Sequence, residues 1–138
     1  MSIVKAANEM GNKAVLLVLC RKVIAGLLIE SISKNLDMKV YGVYQYNEVK
    51  SAAMTYKPHL ALIEVADRYG DPVPAEDALD VCLDIREASP DCKIMLLCPE
   101  RDKESINMCV EAKKRGEIQD FLFYESSVEY LVSKLEAL

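Results

Sequence analysis

Pro58-His59-Leu60-Ala61-Leu62-Ile63-Glu64-Val65 decides how the rest of this 138-residue chain is read. Leu60 to Val65 is apolar apart from one carboxylate near its end. A short apolar run bounded by turn formers reads as a strand buried on both faces. Glu64 then stands at the carboxyl end of a central parallel strand, the edge of an open α/β sheet where ligands and chemistry gather. A carboxylate there is a functional group or the remnant of one.

The flanking sequence alternates between strand-like and helix-like stretches. Ala14 to Leu19 is a continuous apolar run of strand length, and Val23, Ile24, Leu27, Leu28, Ile32 and Leu36 then recur at helical spacing, predicting a helix over 22–35. Lys39 to Tyr46 is rich in β-formers and predicts a second strand, with Asn47 as N-cap of a short helix over 48–55 that Pro58 blocks. After the Glu64 strand comes a loop, Ala66 to Ala75, carrying Gly70, Pro72 and Pro74. A helix is predicted over 76–88, a fourth strand over 93–98 and a helix over 102–115 with Gly116 at its C′ position. A fifth strand spans 118–124, and Ser126-Ser127-Val128-Glu129 resembles a capping box opening a last helix. Five β-α units with short connections imply a three-layer α/β sandwich: a five-stranded parallel sheet with helices on both faces.

Composition narrows the function classes. The chain is long enough for one domain with its own core, expected over 13–138, with residues 1–12 as a loose polar arm. A net charge of −5 disfavours a nucleic-acid groove. The five cysteines, Cys20, Cys82, Cys92, Cys98 and Cys109, are odd in number and contain no Cys-x-x-Cys. That argues against a disulfide framework or a zinc site and for a reducing cytoplasm, with most thiols acting as small buried hydrophobes. Lys5 and Lys13 ahead of Ala14–Cys20 imitate a lipoprotein leader. The apolar core is at the low end of length for a leader, Leu19 occupies the place of a small residue, Glu9 interrupts the leader, and no apolar run is long enough to span a membrane, so neither leader nor membrane segment is expected.

Two pieces carry a family resemblance. Lys57-Pro58-His59-Leu60-Ala61-Leu62-Ile63-Glu64 is similar to the strand that holds the phosphoacceptor in receiver domains of two-component response regulators. Gly116-x-x-x-Asp120-Phe121-Leu122 is similar to the run into that family's fifth strand. The resemblance extends over 13–138 and implies the flavodoxin-like receiver fold with strand order 2-1-3-4-5. It also implies a pocket in which two acidic residues ending the first strand hold Mg²⁺ and an Asp ending the third accepts the phosphoryl group. A Ser or Thr ending the fourth strand and a Lys ending the fifth contact the phosphoryl oxygens. Carboxylates supply the hard oxygen ligands that Mg²⁺ requires, and the cations neutralise charge on the group in transfer.

This chain departs from that pattern at each position. Leu19 and Cys20, followed by Arg21 and Lys22, stand where the acidic pair belongs, and no Asp or Glu occurs between Lys13 and Ile29. Glu64 holds the acceptor position, one methylene too long; Cys98 holds the Ser/Thr position, Tyr124 the Lys position, and Phe121 the switch aromatic. The expectation is a pseudo-receiver without catalytic residues, metal or cofactor. Three readings of Glu64 stay open: a mimic of the charged state, a structural carboxylate held by Arg21, Lys22 or the Tyr124 hydroxyl, or a residue simply exposed at the strand end. A buried carboxylate requires a partner.

His59, at the far end of its strand from Glu64, reads as a surface turn residue. The seven tyrosines, Tyr41, Tyr44 and Tyr46 among them, read as edge-strand packing or contact residues. The functional expectation is a stand-alone, non-enzymatic signalling domain acting by protein–protein interaction. By fold analogy the contact face is that of the fourth helix, fifth strand and fifth helix, where self-association would give a homodimer; neither nucleic acid nor membrane is a partner. The alternative is a small-ligand or thiol-redox sensor using the vestigial pocket, with Cys20 and Cys98 as the thiol pair and Arg21 and Lys22 favouring thiolate.

Overall fold

The computed structural model describes residues 13–18, 22–35, 38–65, 74–123 and 126–138, the side chains of 22–25, 35 and 74–76 excepted. The expected arm 1–12 and the loop 66–73 lie outside the described residues. Five strands form one parallel sheet: β1 (Ala14–Val18), β2 (Lys39–Val43), β3 (Leu60–Glu64), β4 (Lys93–Cys98) and β5 (Asp120–Phe123). Their order is β2-β1-β3-β4-β5, so β3 lies in the middle. The helices are α1 (Lys22–Asn35), α2 (Val49–Tyr56), α3 (Pro74–Ala88), α4 (Lys103–Lys114) and α5 (Val128–Glu136).

Strand composition follows position. Every residue of β1 and β3 is buried, and so is every residue of β4 after Lys93. A strand with helices over both faces has no polar side to show, which is why these three are continuous apolar runs. The edge strands β2 and β5 are only half-buried and carry the polar and aromatic residues. Register follows from the parallel ladders: Leu17 pairs with Leu62, Leu62 with Met95, and Leu97 with Leu122.

Alternation along the central strands sends side chains into two cores. Leu17, Leu62, Met95 and Leu97 meet Leu28 and Ile32 of α1 and Leu131, Val132 and Leu135 of α5. Leu16, Ala61, Ile63, Ile94 and Leu96 meet Val49 and Ala53 of α2, Ala78, Val81 and Ile85 of α3, and Cys109 and Ala112 of α4. Each fully buried Leu or Ile contributes about 1.5–3 kcal/mol of transfer free energy.

The N-terminal edge of the sheet is closed by hydrogen bonds around His59. Its amide donates to the Ala14 carbonyl (2.8 Å), and its carbonyl accepts from the Lys93 amide (2.9 Å). Its Nδ1 accepts from the Ala14 amide (3.3 Å), so the ring carries no proton there. The side chain is exposed, in accord with a turn residue that also joins three strands.

Several expected boundaries shift. β2 ends at Val43, because Tyr46–Glu48 form a 3₁₀ turn that turns the chain into α2. Glu48, not Asn47, precedes α2, and it makes no side-chain cap. α2 ends on Lys57 in the left-handed region (φ 46°), the residue before Pro58, which is barred from continuing the helix. α3 begins at Pro74, two residues earlier than expected, since proline's missing N–H is no loss in a first turn. Asp102 caps α4 by accepting from the Ser105 amide (3.1 Å) and hydroxyl (2.7 Å), and Gly116 (φ 75°) follows its end. In α5 the cap is Ser127, which accepts from the Tyr130 amide (3.2 Å); it stands one residue after Ser126, so Glu129 is not at the reciprocal position of a capping box.

Candidate functional site

The sheet brings Glu64 and Cys98 to the same edge. β3 and β4 are adjacent and run the same way, Glu64 pairs in register with Leu97, and Cys98 is the next residue. Both are buried, Glu64 at 2% exposure, which removes the reading of Glu64 as an exposed strand end. It is the one buried carboxylate among the described residues. Taking such a group out of water requires a partner, and Glu64 is not left without one. The backbone at the same point is pinned by Tyr46, whose hydroxyl donates to the Glu64 carbonyl. Tyr46 thus ties the turn after β2 to the end of β3.

Leu19, Cys20 and Tyr124, expected to complete the pocket, lie outside the described residues, as does Arg21. Phe121 is half-buried on β5, two residues before the strand's end, and meets Phe123 edge-to-face with centroids 6.3 Å apart. It packs on the α2–α3–α4 side of the sheet. Asp120 beside it accepts from Lys113 of α4 at 3.0 Å, joining strand and helix.

Composition alone did not single out Cys109, on the inward face of α4. Its thiol is hydrogen-bonded with that of Cys98, and both are buried. That hydrogen bond lowers the Cys109 pKa from its ordinary value; burial and the nearby Asp102 carboxylate push the other way. Cys98 also donates to the Pro99 carbonyl at 3.6 Å. Cys82 and Cys92 are the inert counterpart. Burial pushes both up to about 12, with Arg86 partly offsetting it. The spacing of Cys98 and Cys109 across a strand–loop–helix turn was visible in the sequence, but nothing local indicated that the two side chains face one another.

The chemistry this edge can carry is limited by its donors. A hard divalent cation takes six or more oxygens, commonly two or more from carboxylates. Among the described residues no group of three or more His, Cys, Asp or Glu side chains is placed to hold a metal ion. β4 itself ends on the buried thiol of Cys98.

This sheet order and layering is the fold of response-regulator receiver domains, and most of the similar solved structures are such domains. A response regulator from Thermotoga maritima superposes with a TM-score of 0.70 at 21% identity, over 91% of this chain and 96% of that one. An adenylate cyclase from Rhodopirellula baltica gives 0.75 at 16% identity, over 91% and 86%. A redox sensor of the streptococci, from a family evolved from two-component response regulators, gives 0.70 at 22% identity, over 91% of this chain and 50% of that one. The sequence matches no protein-family model and no curated protein.

Proposed function

We propose that this chain is a receiver-like signalling domain, a pseudo-receiver that works by contacting another protein and not by accepting a phosphoryl group. The observation that carries the reading is the β3–β4 edge: a buried glutamate at the acceptor position beside a buried thiol at the hydroxyl position. The sequence adds Leu19 and Cys20 where a metal-binding pair of carboxylates would stand. Such an edge lacks the ligands to hold Mg²⁺ and the donor to neutralise a phosphoryl group in flight. The domain then has no catalytic step, works in the cytoplasm, and any place it holds in a phosphorelay is that of a contact. The proposed contact face is α4–β5–α5, where Phe121 and Phe123 sit half-buried on an edge strand.

The test is intact mass after incubation with Mg²⁺ and a small-molecule phosphodonor, with Glu64→Gln as control. No phosphoryl adduct is expected. A labile adduct that needs Mg²⁺ and disappears in the control would make Glu64 an acceptor and end this reading.

A second reading is favoured by the hydrogen-bonded thiols of Cys98 and Cys109, and by the streptococcal redox sensor among the similar structures. In it the pair is oxidised by hydrogen peroxide: the two S–H bonds and the O–O bond break, one S–S bond forms, and the oxidant leaves as two molecules of water. Differential alkylation before and after peroxide would show Cys98 and Cys109 lost together and regained with a reducing agent. Both thiols alkylating unchanged after peroxide would exclude it.

A further inference from the structure

Six large hydrophobic side chains are exposed among the described residues, and the two most exposed on the α2–α3–α4 side are Met54 of α2 and Leu83 of α3, at 58% and 55%. Tyr56 of α2 is also partly exposed, but its ring is taken up by stacking on Tyr41, with centroids 3.8 Å apart. Between α2 and α3 runs a groove of about 250 Å³. One wall carries Lys50, Met54 and Lys57; the other carries Asp84, Glu87 and Ala88. Asp80 and Leu83 continue the α3 wall, since residues three and four apart share a helix face. The face is therefore apolar at its centre, basic along one side and acidic along the other.

Most of these charges have no ion-pair partner among the described residues. Lys57 donates to the Ala88 carbonyl at 2.9 Å, but Lys50, Asp80, Asp84 and Glu87 form no ion pair with any described residue. The groove between α1 and α5 differs. It exposes Leu27 to a similar degree, yet Glu30 and Lys34 on its wall are paired with each other at 3.1 Å. Unspent charge of both signs, laid out in two rows beside bare methionine and leucine, is what a self-complementary surface requires.

We propose that the α2–α3 face binds a second copy of this chain. A two-fold axis lying along the groove places the basic row of each copy over the acidic row of the other, twice, with Met54 and Leu83 between them. An axis lying across the groove would set like charges together, so the charge pattern also selects the geometry. Helices of eight and fifteen residues are only about 12 and 22 Å long, so the contact is small and the dimer weak, with Kd on the order of tens of micromolar. This surface is separate from α4–β5–α5 and does not depend on the state of the Glu64 edge.

The experiment is sedimentation velocity on the full chain from about 10 µM to about 1 mM, at low and high salt. Two variants are compared: Lys50→Glu, and Asp84→Lys with Glu87→Lys. Association that rises with concentration and weakens with salt is expected for the unmodified chain. Each variant alone should lose more than about tenfold in affinity through like-charge contact. An equimolar mixture of the two should associate again, because the acidic α2 of one meets the basic α3 of the other. That recovery cannot arise from misfolding. A chain that stays monomeric throughout, even where another protein captures this face, would overturn the proposal. So would single variants that associate as well as the parent, or a mixture that stays monomeric.

Discussion

The two sides of the sheet are built from different materials. Under α1 and α5 the core is aliphatic, with Val15, Leu17, Leu28, Ile32, Leu60, Leu62, Leu97 and Leu131 and no cysteine among the described residues. Under α2, α3 and α4 lie the four described thiols, Cys82, Cys92, Cys98 and Cys109, together with Ala53, Ala61, Ala78 and Ala112. Two helices covering one face need bulky side chains to fill the space to the sheet. On the face shared by three helices, small residues fill part of the space at native packing density. The difference separates a layer that only holds the fold from one that also carries titratable groups, a hydrogen-bonded thiol pair and an unspent charge pattern.

The largest effect that tests this contrast is core truncation. Leu62→Ala on the aliphatic side should cost about 3 kcal/mol, because it leaves a cavity between large neighbours, whereas Cys82→Ala should cost roughly 1 kcal/mol. Urea denaturation of both variants measures the gap, and equal losses would abolish the distinction between the layers.

Next in size, taken over the first pH unit above 9, is alkaline sensitivity confined to the thiol side. Cys82 and Cys92 are raised in the folded chain to about 12 from an ordinary value of 9.0. An acid whose folded pKa is raised keeps its proton where the unfolded chain has lost it. Stability is therefore complete below pH 9 and falls as pH rises towards 12, by about 1.4 kcal/mol per pH unit for each thiol. Denaturation midpoints of the parent and of a Cys82→Ala/Cys92→Ala variant should diverge as pH climbs through this window. Parallel curves would mean that these thiols are solvated.

The smallest effect compares the two helix caps. Asp102 accepts two hydrogen bonds from Ser105 beside the thiol pair, and Ser127 accepts one from Tyr130 on the other side. Asp102→Ala should cost about 1 kcal/mol and Ser127→Ala about half that. Only the first should speed alkylation of Cys109, because fraying the start of α4 opens the thiol side. Equal labelling rates in both variants would show that the cap does not guard that thiol.

Much of this architecture was legible because burial on both faces forces a strand to be apolar throughout. Ala14–Val18, Leu60–Glu64 and Lys93–Cys98 announce themselves in that way, and α1 matches its periodicity end to end. Edges and caps were less legible. Tyr44 and Tyr46 are good β-formers, yet the strand stops at Val43, because a tertiary hydrogen bond from Tyr46 to the Glu64 carbonyl outweighs local propensity. Ser126 and Ser127 are equally good caps in sequence, and the structure uses the second, which accepts from the Tyr130 amide. The site was half legible: the residue types at Glu64 and Cys98 are read from the sequence, and the structure adds that both are buried at one edge of the sheet.

By itself the sequence determined the class of fold, the central strand and the residue types at the edge of the sheet. These depend on periodicity and on chemistry carried by single residues, which the chain encodes locally. Only the tertiary structure decided that Glu64 is buried, that Cys98 faces Cys109, and that a basic row and an acidic row flank one groove. Each of those is a relation between separate elements, 11 residues apart in the case of Cys98 and Cys109, created when helices settle on the sheet, and no local pattern carries it.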